Sequence, residues 1–376
     1  MNSARLALLL LLAALAACRR PPAAELRVGL VAPLSGSLQD TGISCREGAE
    51  LAVKELNAAG GLAVQDRRYR VQLLIRDAQD TPEQALSAAQ ELINRDNVAA
   101  LIGPPFSSQA IPVAHLAERS GIPMIVQLAT NAEVTAGTSC VFRVCFTDGF
   151  QGRVMALFAR DRLGARRAAI LYDVANPFSR DIADIFTATF TGAGGRVVAR
   201  EGYPTGQPDY LPELARIQAA DPEVLFLPGL HPDLRRQLAQ VRSLGLTAQV
   251  LGGDTMYFRN PADLPLVEGA YISTHYSPEM PGDAVRAFNR MHQRAYERLP
   301  TPGSALTYDA CQLLFSVIRS QGDASPAGIC AGLRKLHSFE GVTGTMIFAG
   351  SPDPAKSVVI VHARDRQYRF HARIDP

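Results

Sequence analysis

VAALIGPPFSSQAIPVAHLAERSGIPMIVQLATNAEVT, residues 98–135, is the stretch that decides the fold. It opens on an apolar run, Val98 to Ile102, and turns through Gly103-Pro104-Pro105. Ser107 and Ser108 then start a helical pattern, a second apolar run follows from Ile122 to Val126, and Ala129-Thr130-Asn131 turns again. Strand, turn, helix, strand, turn is one βαβ unit. In parallel α/β sheets small ligands sit at the carboxyl ends of strands, where helix-start N–H groups collect. Both post-strand turns here carry hydroxyls, so the unit reads as half of a binding cleft.

The pattern extends in both directions. Leu26 to Val31 reads as a strand and Ser44 to Ala59 as a helix stopped by Gly60-Gly61. Tyr69 to Ile75 alternates as a strand, and T-P-E-Q at 81–84 is a capping box that starts a helix running to about Asn94. After Arg143 the alternation restarts. Strands at 168–172, 196–199, 224–227 and 249–251 interleave with helices at 151–163, 209–219 and 234–244 and with one that follows the 173–179 turn and runs to Thr191. A strand at 270–274, long helices at 284–299 and 306–321, a shorter one at 327–336, and β-rich segments at 344–348 and 357–362 close the chain. Two successive blocks of this kind predict α/β architecture with two doubly wound, Rossmann-like lobes.

A length of 376 residues accommodates two domains. Apolar residues make up 47% and charged residues 20%, an ordinary globular balance, and a net charge of +2 gives no sign of a nucleic-acid partner. The first residues stand apart. Arg5 precedes an apolar run, Leu6 to Ala17, too short to span a bilayer, and the run ends on small residues before Cys18. Residues 1–17 are expected to be a signal peptide. A cysteine at the cleavage point resembles the bacterial lipoprotein signal, so Cys18 is the expected lipidation site and 18–25 a tether. No later stretch has the length and apolarity of a membrane span, so the remainder reads as an exported soluble body held to a bacterial membrane. Of six cysteines, five remain if Cys18 is acylated, and an odd number leaves at least one thiol unpaired. Cys311 and Cys330 lie on successive helical patterns that allow them to pair; Cys45, Cys140 and Cys145 have no evident partner.

Catalytic and cofactor motifs are missing. There is no G-x-S-x-G elbow and no phosphate-binding G-x-x-x-x-G-K, and Val197 occupies the last place of a would-be G-x-G-x-x-G. No H-x-x-x-H or C-x-x-C pair exists to hold a metal. The reading is therefore a binding protein with no cofactor. Its polar candidates stand at strand ends: Ser107, Ser108 and Thr130 in one lobe, Asp254 in the other, with Phe178, Leu230 and His231 between them. Each has a plainer reading alone. Either serine caps a helix, Thr130 and Asn131 form a turn, Asp254 follows Gly-Gly as a turn residue, and Phe178 packs in a core. Their shared position after strands in two lobes favours a cleft.

The mature chain resembles, nearly end to end, the leucine/isoleucine/valine-binding proteins of ABC transporters, which have the type I periplasmic binding-protein fold. The segments that carry the likeness are RVGLVAPLSG (27–36), GAELAVKELNAAGG (48–61), IRDAQDTPEQA (75–85), IGPPFSS (102–108), GIPMIVQLAT (121–130), FRV (142–144), RSLGL (242–246) and LGGD (251–254). The resemblance implies two lobes joined by three hinge crossings, near Thr147, Ser277 and Phe339, closing over a ligand. It implies lobe boundaries of 26–147 plus 278–338 and 148–277 plus 339–376, and delivery of the ligand to a membrane permease. A sensor of the same fold, passing closure to a membrane partner, would share every one of these features. By position, Ser107 and Thr130 take the places that hold an amino acid's carboxylate, with backbone help at Leu128, and Ala129 beside it is a further candidate ligand-binding residue. Asp254 takes the place of the acid that pairs with the ammonium. Three departures are visible. Phe178 stands where the family commonly has Tyr, Leu230-His231 replaces another Tyr, and the positions of a disulfide in the leucine-binding members are Gln79 and Phe106. Phe106 is thereby expected to narrow the pocket, and the ligand is expected to be an amino acid with an apolar body, or a small amide or carboxylic acid.

Overall fold

The computed structural model describes residues 24–376, so the expected signal peptide and Cys18 lie outside the described residues. Among the described residues fifteen strands fall into two large sheets and one small one. The first sheet runs β2 (Leu62–Val64), β3 (Arg67–Asp77), β1 (Ala24–Ala32), β4 (Ala100–Ile102), β5 (Met124–Val126), β6 (Val141–Arg143). All its pairings are parallel except the β2–β3 hairpin. The second sheet runs β15 (Gln367–Ile374), β14 (Val358–Arg364), β11 (Tyr271–Thr274), β10 (Gln249–Gly252), β9 (Val224–Leu227), β7 (Arg167–Asp173), β8 (Arg196–Tyr203). Here β14 alone runs against an otherwise parallel set, pairing antiparallel with β11 on one side and with the edge strand β15 on the other. The chain passes from the first sheet to the second after β6. It leaves again after β11 to build helices α8 (Asp283–Tyr296), α9 (Pro302–Gln321) and α10 (Pro326–Leu333), and returns at β14. The expected α/β class with two doubly wound lobes is the observed one.

Helix starts explain most boundary differences. The first helix, α1 (Gln39–Ala58), begins a turn earlier than Ser44. Its own cap, Leu38, has no accepting side chain. Asp80, from the loop after β3, accepts instead from the N–H groups of Ser37 and Leu38 (2.9 and 3.1 Å) and so supplies the anion a helix start favours. At its other end Gly60 and Gly61 both take positive φ, as the Gly-Gly stop requires. Helix α2 (Pro82–Asn94) has the expected reciprocal capping box, Thr81 Oγ1 accepting from Gln84 N–H and Gln84 Oε1 accepting from Thr81 N–H. The βαβ unit of residues 98–135 forms as read, with α3 (Ser107–Arg119) between β4 and β5. Helix α4 (Asp148–Leu157) starts three residues before the expected Gln151 because Thr147 caps it, and it ends in a wider π turn, Phe158–Arg162. In the second sheet α5 (Pro177–Gly192), α6 (Leu211–Ala219) and α7 (His231–Ser243) join successive strands. The segment 344–348 pairs with 338–341 in a separate hairpin of β12 (Ser338–Gly341) and β13 (Gly344–Ile347), and β15, an exposed edge strand, goes unread in the sequence.

The cysteine reading is corrected. Cys330 pairs with Cys140, not with Cys311 (Cα–Cα 5.1 Å), tying α10 to the approach of β6. Cys311 turns into the core, where burial pushes its thiol up to about 12, and Cys45 and Cys145 are likewise buried and unpaired. A partner 190 residues away leaves no trace in local spacing. Among the described residues no helix is long and apolar enough to cross a membrane.

Candidate functional site

The carboxyl ends of both sheets face one cleft of about 690 Å³ of empty space, its mouth included. From the first lobe come Asp40, Thr41 and Ser44 on α1, Pro105 to Ser108 at the β4–α3 turn, and Leu128 and Thr130 after β5. Thr301, Pro302 and Gly303 reach it from the start of α9. The second lobe contributes Asn176 and Phe178 at the start of α5, Leu230 and His231 at the start of α7, and Asp254, Thr255, Tyr257 and Arg259 after β10. Of the residues picked from sequence, Ser107, Ser108, Leu128, Thr130, Phe178, Leu230, His231 and Asp254 line the cleft. Ala129 does not. It is 1% exposed, and its carbonyl turns away to accept from Arg143 Nη1 (3.0 Å) and Cys145 Sγ (3.3 Å).

One end of the cleft suits an anion. Phe106, the residue before α3, offers no side-chain acceptor to the first N–H groups of that helix. They remain free beside the Ser107 and Ser108 hydroxyls, with the positive end of the helix dipole behind them. Ser107 Oγ accepts from Asn131 N–H (3.3 Å), which joins the two hydroxyl-bearing turns and leaves the hydroxyl proton free to donate. Thr130 is held from behind, its carbonyl accepting from Asp148 N–H (3.0 Å). The Asp148 carboxyl is itself buried, and burial together with nearby Asp254 pushes it up to about 8, so it is uncharged at neutral pH.

The facing wall carries a negative charge. Asp254 (side chain 5% exposed) accepts from Gln151 Nε2 at Oδ1 (3.1 Å) and from His275 Nε2 at Oδ2 (3.1 Å). Burial lowers the pKa of His275, so the ring is neutral and donates through Nε2–H. Phe146 stacks on that ring with centroids 3.7 Å apart. No Lys or Arg among the described residues pairs with Asp254. Gly253 keeps the neighbourhood open, since a Cβ there would stand 3.2 Å from Phe178 Cζ.

Further along, the lobes touch. Thr41 Oγ1 lies 3.5 Å from His231 Nδ1, and burial lowers His231 to about 4, so it too is neutral. Arg235 of α7 donates to Asp40 (3.2 Å) and to Asp263 (2.9 Å), and Arg259 donates to Glu47 of α1 (3.1 Å), which also holds Arg298. Three cations against the three anions Asp40, Glu47 and Asp263 leave this end without net charge.

The residues that sequence reading missed are Asp40, Thr41, Ser44, Asn176, Thr255, Tyr257, Arg259 and the 301–303 turn. Asn176, Thr255, Tyr257 and Arg259 follow β7 and β10 close to the residues that were picked there, whereas α1 and α9 enter the cleft by their first turns. The T-P-G-S sequence at 301–304, which forms a capping box, was the one readable sign of such a start.

The sequence profile of the family described as periplasmic binding protein matches residues 25–361. An amino acid binding protein of Pseudomonas aeruginosa is 27% identical over 353 residues, 93% of this chain and 92% of that one. A leucine binding protein from Thermotoga maritima has a similar structure, with a TM-score of 0.87 at 29% identity over 93% of this chain and 99% of that one. A solute binding protein of an ABC transporter from R. palustris, solved in complex with benzoate, shares the fold with a TM-score of 0.83 at 22% identity, over 94% and 97% of the two chains.

Proposed function

This chain belongs to the periplasmic binding protein family as a solute-binding protein of the ABC-transporter type, and we propose that its solute is an amino acid with an uncharged side chain. The carboxylate rests on the start of α3 with Ser107, Ser108 and Thr130, and the ammonium faces Asp254. The side chain lies among Phe106, Leu128, Phe178 and Leu230. The observation that carries this reading is Asp254, a buried carboxylate on the cleft wall whose partners bring no positive charge. A ligand ammonium supplies it, and a buried charge without a partner is costly. An aromatic carboxylate such as benzoate satisfies the α3 end and the apolar walls but leaves Asp254 uncompensated. The ion pairs beyond His231 neutralise one another, so a charged side chain finds no partner there.

Ligand touching both walls favours the closed arrangement of the lobes through differential contact. The lobes in this reading are 26–147 with 278–338 and 148–277 with 339–376, the partner is a membrane permease, and Cys18 carries the lipid anchor. Mass spectrometry of small molecules released from the purified protein, with a thermal-shift panel of leucine, isoleucine, valine, phenylalanine and benzoate, tests the ligand. A ligand at a hundredfold excess over Kd adds about 2.7 kcal/mol. A response to benzoate and to none of the amino acids sinks the proposal. Loss of palmitate labelling in Cys18→Ser tests the anchor.

A further inference from the structure

We propose that Arg143, in the FRV segment that ends β6, is the positioning residue of the turn that receives the ligand's carboxylate. The inference rests on the cleft reading above. Arg143 is 0% exposed and touches no part of the cleft. Its Nη1 donates to the Ala129 carbonyl (3.0 Å), and its Nη2 donates to the Asn131 carbonyl (2.9 Å) and to Thr135 Oγ1 (2.8 Å). One planar fork thus grips the carbonyls on either side of Thr130. With the Thr130 carbonyl on Asp148 N–H, three consecutive carbonyls point into the protein. Asn131 N–H then meets Ser107 Oγ, and the two hydroxyl-bearing turns have a single relative position.

The same guanidinium reaches the chain where it heads back to the second sheet. Arg143 Nε donates to Asp353 Oδ1 (2.6 Å), and Thr135 Oγ1 donates to that same oxygen (2.8 Å). The backbone N–H of Arg143 donates to the Pro352 carbonyl (3.1 Å). The carboxylate-holding turn and the returning segment therefore share one anchor. A fixed fork of donors is what the site uses, and a lysine, a point charge on a flexible stem, cannot reproduce it.

Arg143→Lys keeps a cation for Asp353 and removes the fork. Hydrogen exchange on the ligand-free protein is the first measurement. We expect exchange across 128–131 and at Asp148 to rise at least tenfold, while β1 and β7 keep wild-type protection. The second is calorimetric titration with L-leucine, where Kd should rise at least tenfold although circular dichroism matches wild type. Asp353→Asn, which weakens one anchor and leaves the two carbonyl contacts, should change both readouts less than threefold and serves if Arg143→Lys does not fold. A folded Arg143→Lys with wild-type exchange at 128–131, or an Asp353→Asn that loosens the turn by tenfold, overturns the proposal. If wild type binds no leucine, that bears on the ligand reading, and the exchange measurement alone decides the role of Arg143.

Discussion

Replacing Asp254 with Asn removes one charge and almost no volume, and its consequences can be worked through. In the ligand-free protein Asp254 is a buried anion held by two neutral donors, Gln151 and His275. The amide keeps its oxygen on Gln151 Nε2. Its nitrogen then faces His275 Nε2, which currently donates, so the imidazole must move its proton to Nδ1. That atom is buried and has no partner, so the switch breaks no hydrogen bond. The variant should therefore fold as well as wild type, or better, because an uncompensated buried charge is gone. Ligand binding should suffer. An ammonium taken from water onto a neutral amide loses a charge-assisted bond, and truncating one side of such a pair costs about 2–5 kcal/mol. At about 1.4 kcal/mol per decade, Kd should rise roughly 30-fold to several thousand-fold. The assay is calorimetric titration with whichever amino acid gives the largest thermal shift, beside ligand-free melting of both proteins. The expected signature is an unchanged or higher ligand-free midpoint with most of the ligand-induced shift lost. A loss of affinity under tenfold would show that no ligand cation sits on Asp254, and the amino-acid reading would fall with it.

Asp148 predicts a pH dependence. Its folded pKa of about 8 lies above the ordinary carboxyl value of about 3.9, so the folded state holds the extra proton between those limits. Stability should then decline as pH rises from about 4 to 8, by at most ~1.4 kcal/mol per unit from this group. Asp148→Asn, facing Asp254, Asp181 and Arg143 as the acid does, should flatten the slope in guanidinium titrations at pH 5, 6 and 7. The disulfide predicts a labelling pattern: in unfolded, unreduced protein Cys45, Cys145 and Cys311 react with iodoacetamide, whereas Cys140 and Cys330 do not, and labelling of Cys140 would contradict the pairing. Cys140→Ser should lower stability by about 2–4 kcal/mol with Kd unchanged, measured by denaturant titration and calorimetry. Arg259→Ala removes a partly exposed pair between the lobes but leaves Glu47 on Arg298, so we expect a loss near 1 kcal/mol, about fivefold in Kd, carried by the off-rate in stopped-flow.

The parallel core was legible because its signals are local. An apolar run, a Gly or Pro turn and a capped helix repeat along the chain, and each unit can be read without knowing what it packs on. The strand-end rule singled out Ser107, Thr130 and Asp254, which the fold brings to one cleft. What escaped depends on approach between distant segments. Helix α1 starts at Gln39 because Asp80 arrives from another loop, and Asp40 and Thr41 enter the cleft only through that extra turn. Cys140 meets Cys330 across 190 residues. The edge strand β15 alternates exposed and half-buried residues against a single neighbour, too weak a pattern to read alone. Ala129, which does not line the cleft, shows the limit of reading by position. Its neighbours on both sides line the cleft, yet its carbonyl belongs to Arg143. Position along the turn identified a segment that lines the cleft. Which atoms of that segment face inward is settled by a buried guanidinium fourteen residues on, and nothing in the turn's own sequence records it.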